Sequence, residues 1–224
     1  HPDLCRQFAE AGYHVIRFDN RDAGRSTWMS ETVTTPTLLK AFVGLRVSAP
    51  YTLDDMALDA VGLLDHLDID AAHVVGVSMG GMIAQTLAIG HPDRILSLAS
   101  IMSSTGRRRV GWQHPKLIRS LLNDRTRSRE AYVEGTVAYG PTIGSPAYPE
   151  DPATARARAV ETWERGISRA GSMRQMVAIL TQPDRTEALG GVRVPTLVLH
   201  GLSDPMVHRS GGQATASAVG GSMF

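Results

Sequence analysis

Ser78 lies in the pentapeptide Gly76-Val77-Ser78-Met79-Gly80, which places a single hydroxyl between two glycines. A β-branched, apolar run precedes it and a helix-forming run follows. A serine in this spacing, at a strand-to-helix turn, is typical of a nucleophile held on strained backbone. Gly76 and Gly80 are predicted to leave room where Cβ atoms two residues away would collide. The first N–H groups of the helix, beginning with that of Met79, would stabilise an oxyanion beside the hydroxyl.

Two other interpretations of the pentapeptide exist. One is a glycine-rich turn without chemistry. The other is a phosphate-binding loop, which is excluded because no Gly-Lys-Ser or Gly-Lys-Thr follows the turn. The strand on one side and the helix on the other favour the nucleophile.

The elements around Ser78 alternate between strand and helix patterns. The sequence predicts strands at 13–19, 72–77, 95–102 and 196–200, and helices at 2–12, within 35–51, at 52–69 and at 80–92. Thr52 and Asp55 have the spacing of a capping box at the start of the third helix. Strands that alternate with helices pair in parallel, so we expect an α/β fold, a mostly parallel sheet flanked by helices.

The pattern changes between residues 103 and 195. That region shows no strand pattern, and it carries helical patches at 115–123, 129–138, 153–165 and 172–181. We predict a helical cap inserted into the α/β core. The expected division is core at 1–106, cap at 107–190 and core again at 191–224.

Composition narrows the classes of protein. The chain has 224 residues, with 23 basic and 22 acidic side chains, so its charge gives no support for a nucleic-acid partner. Cys5 is the only cysteine, which excludes an internal disulfide and favours the cytoplasm. No apolar run is long enough to predict a membrane span. No spacing of histidines, cysteines and carboxylates predicts a metal site.

Four segments resemble the α/β-hydrolase superfamily, in particular bacterial esterase- and lipase-like serine hydrolases of the aclacinomycin methylesterase type. Besides the pentapeptide and the helix at 52–69, they are RFDNRDAGRST (17–27), GHPDRILSLASIMSS (90–104) and VPTLVLHGLSDPMV (194–207). The resemblance implies the α/β-hydrolase fold with a cap. It also implies the chain order nucleophile, acid, histidine.

The resemblance implies that Ser78 is the nucleophile and that Asp204 is the catalytic acid. Asp204 could instead be an ordinary turn residue before Pro205. The implied activity is hydrolysis of a small, lipophilic carboxylic ester through an acyl-enzyme, without a cofactor. The same triad serves haloperoxidases, enol-lactonases and C–C hydrolases, and a non-catalytic ligand-binding relative is a further alternative.

No histidine of the chain fits the third place in the triad. The sequence ends 20 residues after Asp204, before the position that the superfamily uses. His200 is expected to pack at a strand end, and His208 to point away from the site. Two further elements that the resemblance implies are not recognised in the sequence. One is the loop that carries the second oxyanion donor, and the other is a strand that would lie between the strands 13–19 and 72–77 in the sheet. We therefore expect a catalytic histidine to be absent, the chain to be truncated at both ends, and its activity to be weak or nil.

Two further groups of residues have open interpretations. The charged loop at 19–26 is either a wall of the active site or a buried turn network. A set of large apolar residues either lines an acyl pocket or packs in the ordinary way: Trp28, Met29, Leu38, Leu39, Phe42, Trp112, Tyr139 and Trp163.

Overall fold

A three-stranded parallel sheet lies at the centre of the computed structural model, which describes residues 2–114, 117 and 126–224. Its strands are β1 (Ala72–Val77), β2 (Ile95–Ile101) and β3 (Thr196–Leu199), in that spatial order. The register pairs Val77 with Ile101 and Ile101 with Leu199. The three strands therefore end side by side at the carboxyl edge of the sheet.

Helices occupy about half of the remaining described chain. They are α1 (Pro2–Glu10), α2 (Thr35–Phe42), α3 (Leu53–His66), α4 (Met79–Gly90), α5 (Arg129–Ile143), α6 (Pro152–Arg165), α7 (Arg169–Thr181), α8 (Thr186–Leu189) and α9 (Ser210–Ala218). The order of strands and helices is that of an α/β fold, as the sequence predicts.

Helix α3 begins with the predicted capping box. The Thr52 hydroxyl accepts the Asp55 N–H at 3.2 Å, and the Asp55 carboxylate accepts the Thr52 N–H at 2.7 Å. The helix ends at His66, three residues short of the predicted end. Asp68 takes a left-handed φ of 53°, which a continuing helix does not allow.

The hydrophobic core lies between α3, α4 and one face of the sheet. Met56 of α3, Leu87 of α4 and Leu98 of β2 are almost completely buried in it. On the other face of the sheet, Val75 and Val77 are each 47% exposed. Helix α4 is buried over most of its length and fixes the position of the turn that precedes it.

The prediction of a strand at 13–19 is wrong. These residues form no ladder with another strand, although Tyr13 lies edge-on to the His73 ring of β1, with centroids 5.9 Å apart. The β-branched pattern of the segment is genuine, but a strand needs backbone partners, and β-propensity alone does not supply them.

Between β2 and β3, the described residues form helices and no strand. Helices α5, α6 and α7 correspond to the patches predicted at 129–138, 153–165 and 172–181. Nearly all of the patch predicted at 115–123 lies outside the described residues. The division into core and cap at residues 107 and 190 stays a prediction.

A buried ion pair joins α7 to the charged loop at 19–26. Arg174 donates two hydrogen bonds of 2.7 Å to the Asp22 carboxylate, whose side chain has no exposed surface. Tyr51 and the Met29 N–H also donate to Asp22, at 2.8 and 2.9 Å. Of the two interpretations of this loop, Asp22 supports the buried turn network.

In the described part of the chain, no helix is both long and apolar enough to cross a membrane.

Candidate active site

Ser78 occupies the junction between β1 and α4 with a backbone that few residues adopt. Its φ is 56° and its ψ is −118°, and α4 begins at the next residue. Such a conformation costs on the order of 1–3 kcal/mol in a residue other than glycine. The Ser78 side chain makes no capping hydrogen bond to the helix, although serine is a favoured capping residue.

Hydrogen bonds at its backbone hold Ser78 in this conformation. Its N–H donates to the Ile101 carbonyl of β2 at 2.9 Å. Its carbonyl accepts the N–H groups of Gly81 and Met82, at 2.9 and 3.2 Å, and the Ser103 hydroxyl at 3.0 Å. The turn is therefore tied to α4 and to the segment after β2, and Ser103 is a supporting residue that the sequence interpretation missed.

The glycines of the turn differ in what they allow. A Cβ on Gly76 would overlap the carbonyl oxygen of Gly80, so residue 76 must be glycine, as predicted. A Cβ on Gly80 would meet no atom within 4 Å apart from its chain neighbours and the backbone of its own helix, which gives no support to the steric role predicted for Gly80. Gly81 has that role instead, because a Cβ there would lie 2.7 Å from the Cβ of Ser103. The sequence could not reveal this, since Ser103 reaches Gly81 only through the sheet.

Met79 is the first residue of α4, directly after Ser78. The N–H groups of the first turn of a helix have no partner within the helix and carry its positive end. The position is suited to an oxyanion donor, and the role itself stays a proposal.

Asp204 lies in the loop between β3 and α9. The loop leaves the sheet at Leu199, which is aligned through Ile101 with Val77, the residue before Ser78. Ser78 and the Asp204 loop thus follow the carboxyl ends of β1 and β3, on the edge of the sheet where α/β folds place ligands. The separation of roughly 6–9 Å expected from an intervening imidazole stays a prediction.

The Asp204 carboxylate is buried, and its two oxygens have different surroundings. Oδ1 accepts the N–H groups of Met206 and Val207, at 2.8 and 3.0 Å. Oδ2 is buried without a hydrogen-bond partner and lies 3.5 Å from Nε2 of His200. Burial by itself would raise the pKa of Asp204, but His200 and the two N–H donors outweigh it, so this pKa is lowered. Asp204 is therefore ionised at neutral pH.

The two histidines nearest to Asp204 in sequence are engaged elsewhere. His200 is buried, and its Nε2 lies 2.6 Å from the carbonyl oxygen of Val207. The His208 ring stacks on Trp112, with centroids 4.5 Å apart, and its Nδ1 lies 2.9 Å from the Ser210 hydroxyl. Neither arrangement is that of a base on Ser78.

A groove of about 640 Å³ lies between residues 28–33 and 168–174. Trp28, Met29 and Met173 line it, and Ser78 and Asp204 do not. The other aromatic residues proposed for an acyl pocket have different contacts, since Trp112 stacks on His208 and Trp163 on α6 contacts Tyr132. The groove is therefore not the site built around Ser78. Within the described residues, no three His, Cys, Asp or Glu side chains form a potential metal-binding group.

The chain belongs to the alpha/beta hydrolase fold family, whose sequence model matches residues 2–221. The fold class and the superfamily predicted from the sequence are thus confirmed.

Three relatives have diverse activities. The chain is 36% identical over 100 residues to the rhodomycin D methylesterase DauP of a Streptomyces strain, a match that covers 45% of this chain and 28% of that protein. It is 38% identical over 107 residues to the putative non-heme bromoperoxidase BpoC of Mycobacterium tuberculosis, covering 48% of this chain and 33% of that one. The crystal structure of the enol-lactonase from Burkholderia xenovorans superposes with a TM-score of 0.66 at 25% identity, over 92% of this chain and 69% of that one.

The matched stretches span about a third or less of the two curated relatives. What this chain shares with the three proteins, which are named as a methylesterase, a putative bromoperoxidase and an enol-lactonase, is a hydrolase scaffold. Membership of the family therefore defines the class of protein, and the particular reaction has to be argued from the site.

Proposed function

We propose that this chain carries the nucleophile and the acid of a serine hydrolase that cleaves a carboxylic ester through an acyl-enzyme. Ser78 attacks the carbonyl carbon, the Met79 N–H donates to the oxyanion, and the Asp204 carboxylate orients the imidazole that takes the proton. The observation that carries the proposal is the φ of 56° at Ser78, the single residue between β1 and α4, with a side chain that does not cap the helix.

The roles follow from the environment of each group. A serine hydroxyl is a weak nucleophile until a base removes its proton. A buried, ionised carboxylate such as that of Asp204 would hold an imidazole in the tautomer that accepts this proton. We assign no histidine of this chain as the base, because His200 and His208 are held by Val207 and by Trp112 with Ser210.

The similarity to a methylesterase and to an enol-lactonase supports an ester as the substrate, since a lactone is a cyclic ester. In both cases the nucleophile would attack an acyl carbon and expel an alkoxide or enolate oxygen. A lipophilic substrate and a cytoplasmic location are predictions from the sequence that we retain in the proposal.

A second candidate function is the oxidation of halide by peroxide, which the 38% identity to a putative bromoperoxidase favours. A non-catalytic, ligand-binding relative is a third. An ester assay and a bromination assay on the same preparations separate the three candidate functions. An ester hydrolase and a bromoperoxidase would each give turnover that depends on Ser78 in its own assay, and a ligand-binding protein would give none.

The test is hydrolysis of p-nitrophenyl esters by this chain, with and without added imidazole, and by the full translation product of its gene. Ser78→Ala should remove the enzymatic rate, with a loss of about 10³-fold or more. Ser145→Ala is the matched control, because Ser145 is exposed in the segment between α5 and α6. It should leave the rate unchanged.

We expect weak turnover by this chain without imidazole, and a Ser78-dependent increase with it, since free imidazole can accept the Ser78 proton, a role that we assign to neither His200 nor His208. If hydrolysis by every preparation were the same with Ser78→Ala as with Ser78, the ester hydrolase proposal would be wrong. Ser78-dependent bromination without ester hydrolysis would favour the second candidate.

A further inference from the structure

His200 and Asp204 form a buried contact that the proposed reaction does not use. His200 is the first residue after β3, and its side chain is 0% exposed, against 4% for Asp204. Nε2 of His200 lies 2.6 Å from the Val207 carbonyl oxygen and 3.5 Å from Oδ2 of Asp204. The other carboxylate oxygen accepts the N–H groups of Met206 and Val207. The imidazole thus spans the base of the loop at 200–207.

The hydrogen bond to Val207 determines the tautomer of His200. A carbonyl oxygen only accepts, so Nε2 must carry the proton and donate it. Nδ1 is buried without a hydrogen-bond partner. Gly212 of α9 lies close against the ring, since a Cβ added to Gly212 would be 2.6 Å from Nδ1. The Nε2 proton is therefore held beside Val207 O and the Asp204 carboxylate.

We propose that His200 is a positioning residue, which fixes the orientation of the Asp204 carboxylate and keeps it ionised. This inference rests on the proposed function, in which Asp204 orients the catalytic base. Oδ1 is turned towards the loop backbone by two N–H donors, and Oδ2 is buried on the side of His200. His200 is the group that places positive charge density next to that oxygen.

The alternative is that His200 only fills space under α9. Its electrostatic effect distinguishes the two roles. Burial by itself would lower the pKa of His200, but Asp204 and the Val207 carbonyl raise it, and His200 in turn lowers the pKa of Asp204. His208, on the same loop, faces Trp112 and Ser210 instead. A residue that only filled space would leave the titration of Asp204 unchanged.

The experiment is an NMR titration of the Asp204 carboxyl carbon in this chain, with the nitrogen shifts of His200 recorded alongside. His200→Phe keeps a ring and removes the donor, and His200→Gln keeps an N–H donor without charge. His66→Gln is the matched control, because His66 is exposed at the end of α3. We expect the pKa of Asp204 to rise by about one pH unit or more in His200→Phe. A smaller rise is expected in His200→Gln, and none in the control.

An unchanged pKa of Asp204 in His200→Phe, with the amide shifts of residues 201–207 also unchanged, would overturn the proposal. If His200→Phe does not fold, His200→Gln is judged by the same criterion. If neither variant folds, the wild-type titrations decide: an Asp204 carboxyl resonance that shifts again as His200 titrates supports the proposal, and resonances of the two residues that titrate independently overturn it. Asp204→Asn in the ester assay tests the proposed function separately, since full activity there would remove Asp204 from the reaction without altering the titration result.

Discussion

The Ser103 hydroxyl donates a 3.0 Å hydrogen bond to the carbonyl oxygen of Ser78. Ser103 comes two residues after the end of β2, and Arg185 donates to the carbonyl of the next residue, Ser104, at 2.9 Å. Burial lowers the pKa of Arg185 to about 10, which still leaves the guanidinium charged at neutral pH. The segment that follows β2 therefore supports the turn at Ser78 through Ser103. The buried Arg185 guanidinium in turn holds that segment at Ser104.

We expect Ser103→Ala to destabilise the protein by about 1 kcal/mol, the net value of one hydrogen bond. The loss is limited because the Ser78 carbonyl keeps the N–H donors of Gly81 and Met82. Urea unfolding measures the change in free energy, with Ser145→Ala as the exposed control. A loss no greater than that of the control would mean that the 3.0 Å contact does not contribute to stability.

Alanine substitutions at the three glycines of the turn should rank Gly76 as the most costly, Gly81 next and Gly80 as harmless. A Cβ at 76 overlaps a backbone carbonyl, and one at 81 would lie 2.7 Å from the Ser103 Cβ, so each should cost about 1–3 kcal/mol or more. At 80 the new Cβ meets nothing within 4 Å, and alanine is the better helix former by up to about 1 kcal/mol. Thermal unfolding of the three variants gives the ranking, and a cost at Gly80 equal to that at Gly76 would contradict it.

The sequence predicts what local chemistry determines, and the site illustrates the limit. Three predicted features depend on residues close in the chain, and each is found: strand β1, the turn at Ser78 and the capping box at Thr52. The contact of Gly81 with Ser103 depends on which strands are neighbours, so the spacing of the pentapeptide pointed to Gly80 instead. The prediction of a strand at 13–19 was wrong for the same reason. A strand needs a neighbouring strand to pair with, and the pattern of residues 13–19 does not specify one.

The ion pair between Asp22 and Arg174 is beyond sequence reasoning as well, since 152 residues separate its members. We expect Arg174→Met to destabilise the protein by about 3–5 kcal/mol, because it leaves the buried Asp22 carboxylate without its cation. The methionine keeps most of the apolar stem of arginine, so the loss reports the charge and its hydrogen bonds.

The matched control is Arg156→Met. Arg156 pairs with Glu134 on the surface, where water and salt screen the interaction, so the control should change stability very little. Urea unfolding at neutral pH compares the two variants. Equal losses would mean that the burial of the Asp22 pair does not distinguish it energetically from a surface pair.

The same ion pair predicts how stability depends on pH. Burial alone would raise the pKa of Asp22, but Arg174, the Met29 N–H and Tyr51 together lower it below its ordinary value. A carboxyl whose pKa is lower in the folded state stabilises the fold fully above its unfolded pKa of about 3.9. That contribution is lost as the pH falls from the unfolded value through the folded one, where the native carboxylate takes up a proton.

We therefore expect Asp22→Asn to be less stable than the wild type at neutral pH, with a difference that shrinks as the pH falls below about 4. Asparagine is the suitable substitution, because Asp22 has a φ of 66°, a conformation that asparagine tolerates well. Urea unfolding at intervals from about pH 7 to about pH 3 gives the two stability curves, which should converge in acid. Asp70→Asn, at an exposed aspartate, controls for the loss of one negative charge and should follow the wild-type curve. A gap between the Asp22→Asn and wild-type curves that stays constant over this range would show that Arg174 does not hold Asp22 in its ionised form.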